Sequence, residues 1–98
     1  MNQLQAIVIN DKTIIFDETL LLTKIEYSYK RKYYISLTKE IWCIDIYGQI
    51  LWTTKLLDSS KEILDFTFSD SENYIDCLTN TGSTIKYNAQ TGQEILAK

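Results

Sequence analysis

Short apolar runs broken by turn residues fill this chain, and none keeps the three-to-four-residue spacing of an amphipathic helix. The runs cover 4–9, 12–16, 20–24, 25–29, 33–37, 40–46, 49–56, 63–68, 74–78, 83–88 and 93–97. Ile, Val, Thr, Tyr, Phe and Trp dominate them, and β-branched and aromatic side chains fit a pleated surface better than a helix. Between the runs stand Asn10-Asp11, Asp17-Glu18-Thr19, Lys30-Arg31-Lys32, Tyr47-Gly48 and Asn80-Thr81-Gly82, which supply turn chemistry. The stretch 57–62 is the longest without strand character and has room for one helical turn. The pattern predicts an all-β protein of roughly ten short strands.

How the strands are layered follows from their periodicity. In 63–68, Leu64, Phe66 and Phe68 alternate with Asp65 and Thr67, as expected of a strand with one wet face. In contrast, Ile7-Val8-Ile9, 13–16, 20–22 and 41–44 are apolar at successive positions, which predicts cover on both faces. Stacked sheets satisfy both patterns. A chain of 98 residues that is 45% apolar is expected to form a single domain over 1–98.

A search for chemistry narrows the function classes. There is no histidine, so neither a nucleophile–His pair nor a His-dependent metal site is available. Cys43 and Cys77 lie inside apolar runs and are expected to be buried free thiols rather than a disulfide or zinc ligands. The three glycines are isolated, without the Lys-Ser or Lys-Thr of a phosphate-binding loop. Asp45 is expected to serve a turn rather than catalysis. Likewise Asp70-Ser71-Glu72-Asn73 lacks the spacing of a calcium loop and reads as a hairpin turn. Neither an export signal nor a membrane-length apolar run is visible, which leads to the expectation of a cytoplasmic, non-enzymatic protein without cofactor.

Charge is distributed unevenly. Lys24, Lys30, Arg31, Lys32 and Lys39 make one stretch basic, whereas Asp58, Glu62, Asp65, Asp70, Glu72 and Asp76 make another acidic, relieved by Lys61. The net charge of −3 disfavours nucleic-acid binding, which usually leaves a basic footprint. Seven tyrosines add candidate contact area, since a rigid amphipathic ring buries surface at low entropic cost.

An internal repeat orders the second half of the chain. Residues 42–52 and 85–96 each read as a strand, an Asx (Asp45 or Asn88), a Gly-Gln pair and a large apolar residue four after the glycine. The glycines, Gly48 and Gly92, stand 44 positions apart, a period suited to a four-stranded unit. Trp52 and Leu96 are the large residues, each expected to return to the core. The two stretches resemble the blade repeat of quinoprotein-type (PQQ-like) β-propellers, whose units carry a strand, an Asp, a Thr-Gly-Lys-like turn and a tryptophan. Residues 85–96 match best, with Asn88, Thr91 and Gly92 in place; 42–52 lacks the Thr and is one residue shorter before its glycine. A degraded copy falls around Asp17. The resemblance implies about three propeller-blade-like antiparallel meanders stacked in layers, the first lacking one strand and the others of four strands. It does not imply a closed propeller, which needs about four or more blades. The family's quinone chemistry draws ligands from many blades, so no functional residue is carried over.

These observations favour a protein-binding domain. The first expectation is an acidic immunity or inhibitor protein that blocks the basic active site of a nuclease-type toxin, with Asp58, Asp65, Asp70, Glu72 and Asp76 as contacts and Tyr74 as an anchor. The alternatives are a scaffolding module that self-associates through exposed sheet edges, and RNA binding through 24–39.

Overall fold

The computed structural model describes residues 5–17 and 19–96, which contain ten strands and no helix. β1 (Gln5–Ile9) and β2 (Lys12–Phe16) form a two-stranded hairpin. β3 (Leu22–Ser28), β4 (Lys32–Leu37), β5 (Glu40–Asp45) and β6 (Ile50–Lys55) form an antiparallel meander in chain order. β7 (Ile63–Ser69), β8 (Tyr74–Thr79), β9 (Thr84–Asn88) and β10 (Glu94–Ile95) form another. The fold is therefore all-β, in three antiparallel sheets, without a closed barrel or propeller. With no helix among the described residues, none is long and apolar enough to cross a membrane.

Two clusters hold the layers together. Ile9, Ile14 and Phe16 of the first sheet meet Ile35, Leu37 and Ile44 of the second. On the opposite face, Tyr34, Ile41 and Cys43 meet Ile63, Phe66, Ile75, Cys77 and Tyr87 of the third. Burying each large side chain contributes about 1.5–3 kcal/mol. The middle sheet is thus dry on both sides across β4 and β5, as the continuous apolar runs require.

Several expectations need correction. The segments 20–24 and 25–29 belong to one strand, β3, so the first sheet has two strands rather than three. The stretch 57–62 is not helical; the Lys61 amide donates to the Asp58 carbonyl at 3.1 Å in a turn. Leu64 does not share a face with Phe66: the register slips between Ile63 and Asp65, so Ile63 is buried and Leu64 is exposed. β1 and β2 are covered on one face only, leaving Val8 and Ile15 exposed, as is Leu21. An apolar run cannot distinguish a central layer from an end layer whose outer face is also apolar. Leu4, Glu18 and Ala97 lie outside the described residues.

The repeat has a clear local cause. Asp45 Oδ1 accepts from the Tyr47 and Gln49 amides, both at 2.9 Å, and Asn88 Oδ1 accepts from the Gln90 and Thr91 amides at 2.8 and 3.1 Å. Each Asx thereby ties its own turn, and the following glycine takes the left-handed conformation, φ 86° at Gly48 and 78° at Gly92. Gly92 also packs directly against the Trp52 indole, where a Cβ would collide with the ring. Replacing Gly92 with Ala combines backbone strain with overpacking, for an expected loss of about 1–3 kcal/mol read from the urea midpoint. Gly82 has open space around it, so Gly82→Ala reports the backbone contribution alone and is expected to cost less.

Candidate binding surfaces

The acidic residues singled out by sequence do not converge. Asp58 is exposed in the β6–β7 connection, where its Oδ1 accepts from the Ser60 amide at 2.9 Å and hydroxyl at 2.6 Å; these bonds hold its carboxyl below the usual range. Asp70, Glu72 and Tyr74 gather around the β7–β8 turn, at the other end of β7. Asp65 and Asp76 lie between these ends on neighbouring strands, together lining a hollow with Thr67, Leu78 and Thr84.

Most of these carboxylates already have partners within the chain. Lys24 Nζ lies 3.0 Å from Asp65 Oδ1, and that hydrogen bond is the main cause of the lowered Asp65 pKa and the raised Lys24 pKa. Asp76 Oδ1 has Lys86 Nζ at 3.4 Å, outside hydrogen-bonding geometry, and is otherwise buried without a hydrogen-bond partner. Lys86 also lies 5.0 Å from the centre of the Tyr74 ring. Asp70 Oδ2 accepts from Asn73 Nδ2 at 3.4 Å inside its own turn. Of these five carboxylates, Asp58 and Asp70 remain the most open to a partner.

Glu72 has a different role from a surface contact. Its Oε1 accepts from the Ser28 hydroxyl at 2.9 Å and the Tyr29 amide at 3.1 Å, across the junction between the second and third sheets. The Tyr29 hydroxyl donates to the Ser71 carbonyl at 2.8 Å, and Lys30 Nζ to Asn73 Oδ1 at 2.8 Å. Asp70, Ser71 and Glu72 all have positive φ, a strained run for non-glycine residues. The cross-sheet bonds supply the compensating energy. Glu72→Ala leaves the buried Ser28 hydroxyl and the Tyr29 amide without this acceptor, for an expected destabilisation of about 1–3 kcal/mol in chemical denaturation. Asp70→Ala is expected to cost less, since its side chain makes one long hydrogen bond.

Beside this junction is a cleft of about 290 Å³ whose lining includes Lys30, Lys32, Tyr34, Glu72, Tyr74 and Gln90. Its charges are mixed and its floor is structural: the Tyr34 hydroxyl donates to the Ala89 carbonyl at 2.9 Å, and Trp52 Nε1 donates to the same oxygen at 3.2 Å. Sequence reasoning missed this acceptor, although the extra residue in the 85–96 copy marked the place. Leu96 also departs from expectation. It does not return to a core but is 73% exposed, with nothing packed over it as the third sheet packs over Trp52.

Cys43 and Cys77 are free and buried in the core cluster between the second and third sheets. Burial pushes their thiols up to about 11 and about 12 respectively. A thiol with a raised folded-state pKa adds stability below its unfolded pKa of about 8.5, and loses it as pH climbs through the folded value. Stability is therefore expected to fall between roughly pH 8.5 and 12, and a neutral thiol reagent should label neither cysteine at about pH 8 until the chain unfolds. Rapid labelling of the folded protein would contradict the buried placement.

Among the described residues, no group of three or more His, Cys, Asp or Glu side chains could hold a metal ion. The fold and its surfaces define a layered all-β protein with open sheet faces. No family matches the chain, and no curated protein matches it in sequence.

Proposed function

We propose that this chain is a non-enzymatic structural module that works by protein–protein assembly, through β sheets stacked face to face. The carrying observation is the outer face of β7–β10. The corresponding face of β3–β6 is covered by the third sheet, with Tyr34 buried and Trp52 packed on Gly92. The repeat assigns Leu96 the place of Trp52, yet Leu96 is exposed, as are Leu64, Leu78 and Ile95. A hollow of about 370 Å³ between Thr84, Lys86, Glu94 and Leu96 adjoins them. An open apolar face of this kind is a marker of interaction. The occupant proposed is the β1–β2 face of a second copy, whose Val8 and Ile15 point away from the core. Such contacts are heterologous and extend head to tail. Kinship with the quinoprotein-type blade repeat belongs to the same reading, supported by the paired Asx turns.

A second reading, favoured by the buried Asp76 oxygen that lacks a hydrogen bond, keeps the acidic inhibitor of a nuclease-type toxin. In it, Asp65 and Asp76 on this same face, with Asp70 at the β7–β8 turn, meet a basic partner. Partner binding by either route requires no reactive group.

Sedimentation velocity over a concentration series separates the two. Assembly that grows with concentration, and reverts to monomer in the Leu78→Glu/Leu96→Glu variant, is the expected result. A wild-type chain that stays monomeric at about millimolar concentration, where even weak contacts of roughly 4 kcal/mol register, would sink self-assembly. Salt-sensitive binding of that monomer to a basic nuclease, weakened by Asp70→Lys, would transfer the conclusion to the inhibitor.

A further inference from the structure

Three turns meet at one end of the second and third sheets and enclose the cleft of about 290 Å³. Lys30 and Lys32 come from the β3–β4 turn and the start of β4, Glu72 and Asn73 from the β7–β8 turn, and Gln90 from the β9–β10 turn. Binding residues commonly sit on loops held by a rigid scaffold, and here the holding bonds are explicit. The Ala89 amide donates to the Asn73 carbonyl at 2.9 Å, which ties two of the turns together. Lys30 Nζ on Asn73 Oδ1 and the Tyr29 amide on Glu72 Oε1 fasten the third. Arg31, Asp70, Ser71 and Glu72, all at positive φ, stand on these turns. Strained non-glycine backbone gathers at ligand clamps, where the surroundings over-determine it.

The lining leaves one positive charge unmatched. Alternation along β4 puts Lys32 on the face of Tyr34, toward the third sheet. Lys32 is half-buried, yet the ion pairs among the described residues engage Lys24, Lys55 and Lys86 and not Lys32. Its cross-strand neighbour Asp45 is occupied instead with the Tyr47 and Gln49 amides. Burial raises the Cys43 thiol and the Lys32 charge works against that rise, so the ammonium is felt inside the junction. Lys30 bonds a neutral amide oxygen, which leaves its charge uncancelled. Glu72 is the single carboxylate of the lining, and its Oε1 is taken by Ser28 and Tyr29.

The kind of anion follows from which donors are still available. Phosphate sites are typically built from converging backbone N–H groups. Here the Asn73 and Ala89 amides already donate to the Asp70 and Asn73 carbonyls, and the Gln90 amide to Asn88 Oδ1. With lysine in place of an amide nest, and Glu72 alongside to repel a second negative charge, the cleft suits a monoanion. Its volume equals that of about ten water molecules at roughly 30 Å³ each. That is the small end for a ligand pocket and gives room for an occupant of amino-acid size.

We propose that this cleft binds the carboxylate of a ligand of amino-acid size, either a free organic acid or the C-terminal residue of a peptide. Lys32 holds the carboxylate, Lys30 adds long-range attraction from the rim, and Gln90 offers a neutral hydrogen-bonding side chain at the mouth. Terminal carboxylates are recurrent handles in peptide recognition. The site goes beyond the proposed assembly. It lies at the turn end of the sheets, so Leu78 and Leu96 have no part in it.

The probes are N-acetylglycine, its neutral counterpart N-acetylglycinamide, and acetyl-tetraglycine with a free C-terminus. Each is titrated into the full chain at neutral pH and matched ionic strength while amide shifts are followed by NMR. N-acetylglycine is expected to give saturable shifts at tens of millimolar, centred on Lys30–Tyr34, Glu72–Tyr74 and Ala89–Thr91, and the amide is expected to give none. Lys32→Gln should weaken binding at least about fivefold without moving the thermal midpoint. The Leu78→Glu/Leu96→Glu variant should bind like wild type, so this site and the assembly surface fail or succeed separately. Tighter binding of acetyl-tetraglycine assigns the site to a peptide terminus, and equal or weaker binding assigns it to a free acid. Equal shifts with acid and amide, shifts centred elsewhere, tighter binding of inorganic phosphate, or unchanged affinity in Lys32→Gln would overturn the proposal. If Lys32→Gln lowers the thermal midpoint, the acid–amide comparison on the wild-type chain decides alone.

Discussion

Both faces of the β3–β6 sheet must stay dry, and the rest of the structure is arranged around that requirement. Tyr34, Ile35, Leu37, Ile41, Cys43 and Ile44 are all buried, yet they divide between two opposing clusters. A single extra sheet could cover only one of them. The first and third sheets therefore depend on the second more than on each other, and the clusters between them carry the hydrophobic stabilisation. The polar contacts at the rims, such as Glu72 on Ser28 and Gln5 on Leu22, then fix how each layer is seated.

Much of this architecture was legible because turn chemistry and β-branched runs act locally. Asp45 and Asn88 bond amides within four residues, so their roles follow from sequence spacing alone. Layering was legible in the 41–44 run for the same reason. The misreadings arose where one residue changes a face. The slip at Leu64 exchanged it with Ile63, and a bulge leaves no mark in a short apolar run. The division of 20–29 into two strands failed because Lys24, placed at the end of the first run, lies within β3 and reaches across to Asp65.

The binding surfaces were less legible, since they depend on which sheets happen to be covered. Six acidic side chains in one stretch suggested a single negative patch. Strand alternation and hairpin reversals instead distributed them among a loop, a turn and a sheet face, and Lys24, Lys86 and Ser28 took up three of them. Conversely, the Ala89 carbonyl, which accepts from both Tyr34 and Trp52, is a backbone atom with no sequence signature beyond an added residue. Exposed Ile25 and Tyr27 were equally hidden, because apolar residues in a strand read as core.

Lys24 has a further consequence for how the molecule behaves in a crowded solution. β7 is the terminal strand of its sheet, and Lys24 Nζ binds the Phe66 carbonyl on it at 2.7 Å while pairing with Asp65. A strand approaching that border from another molecule would have to displace an ammonium group from its acceptor before any backbone pairing could start. Charged side chains on sheet borders commonly discourage fibrillar growth in this manner. The chain thus carries its own guard against runaway edge-to-edge strand pairing at β7, whereas among the described residues no such guard stands on the β1 border.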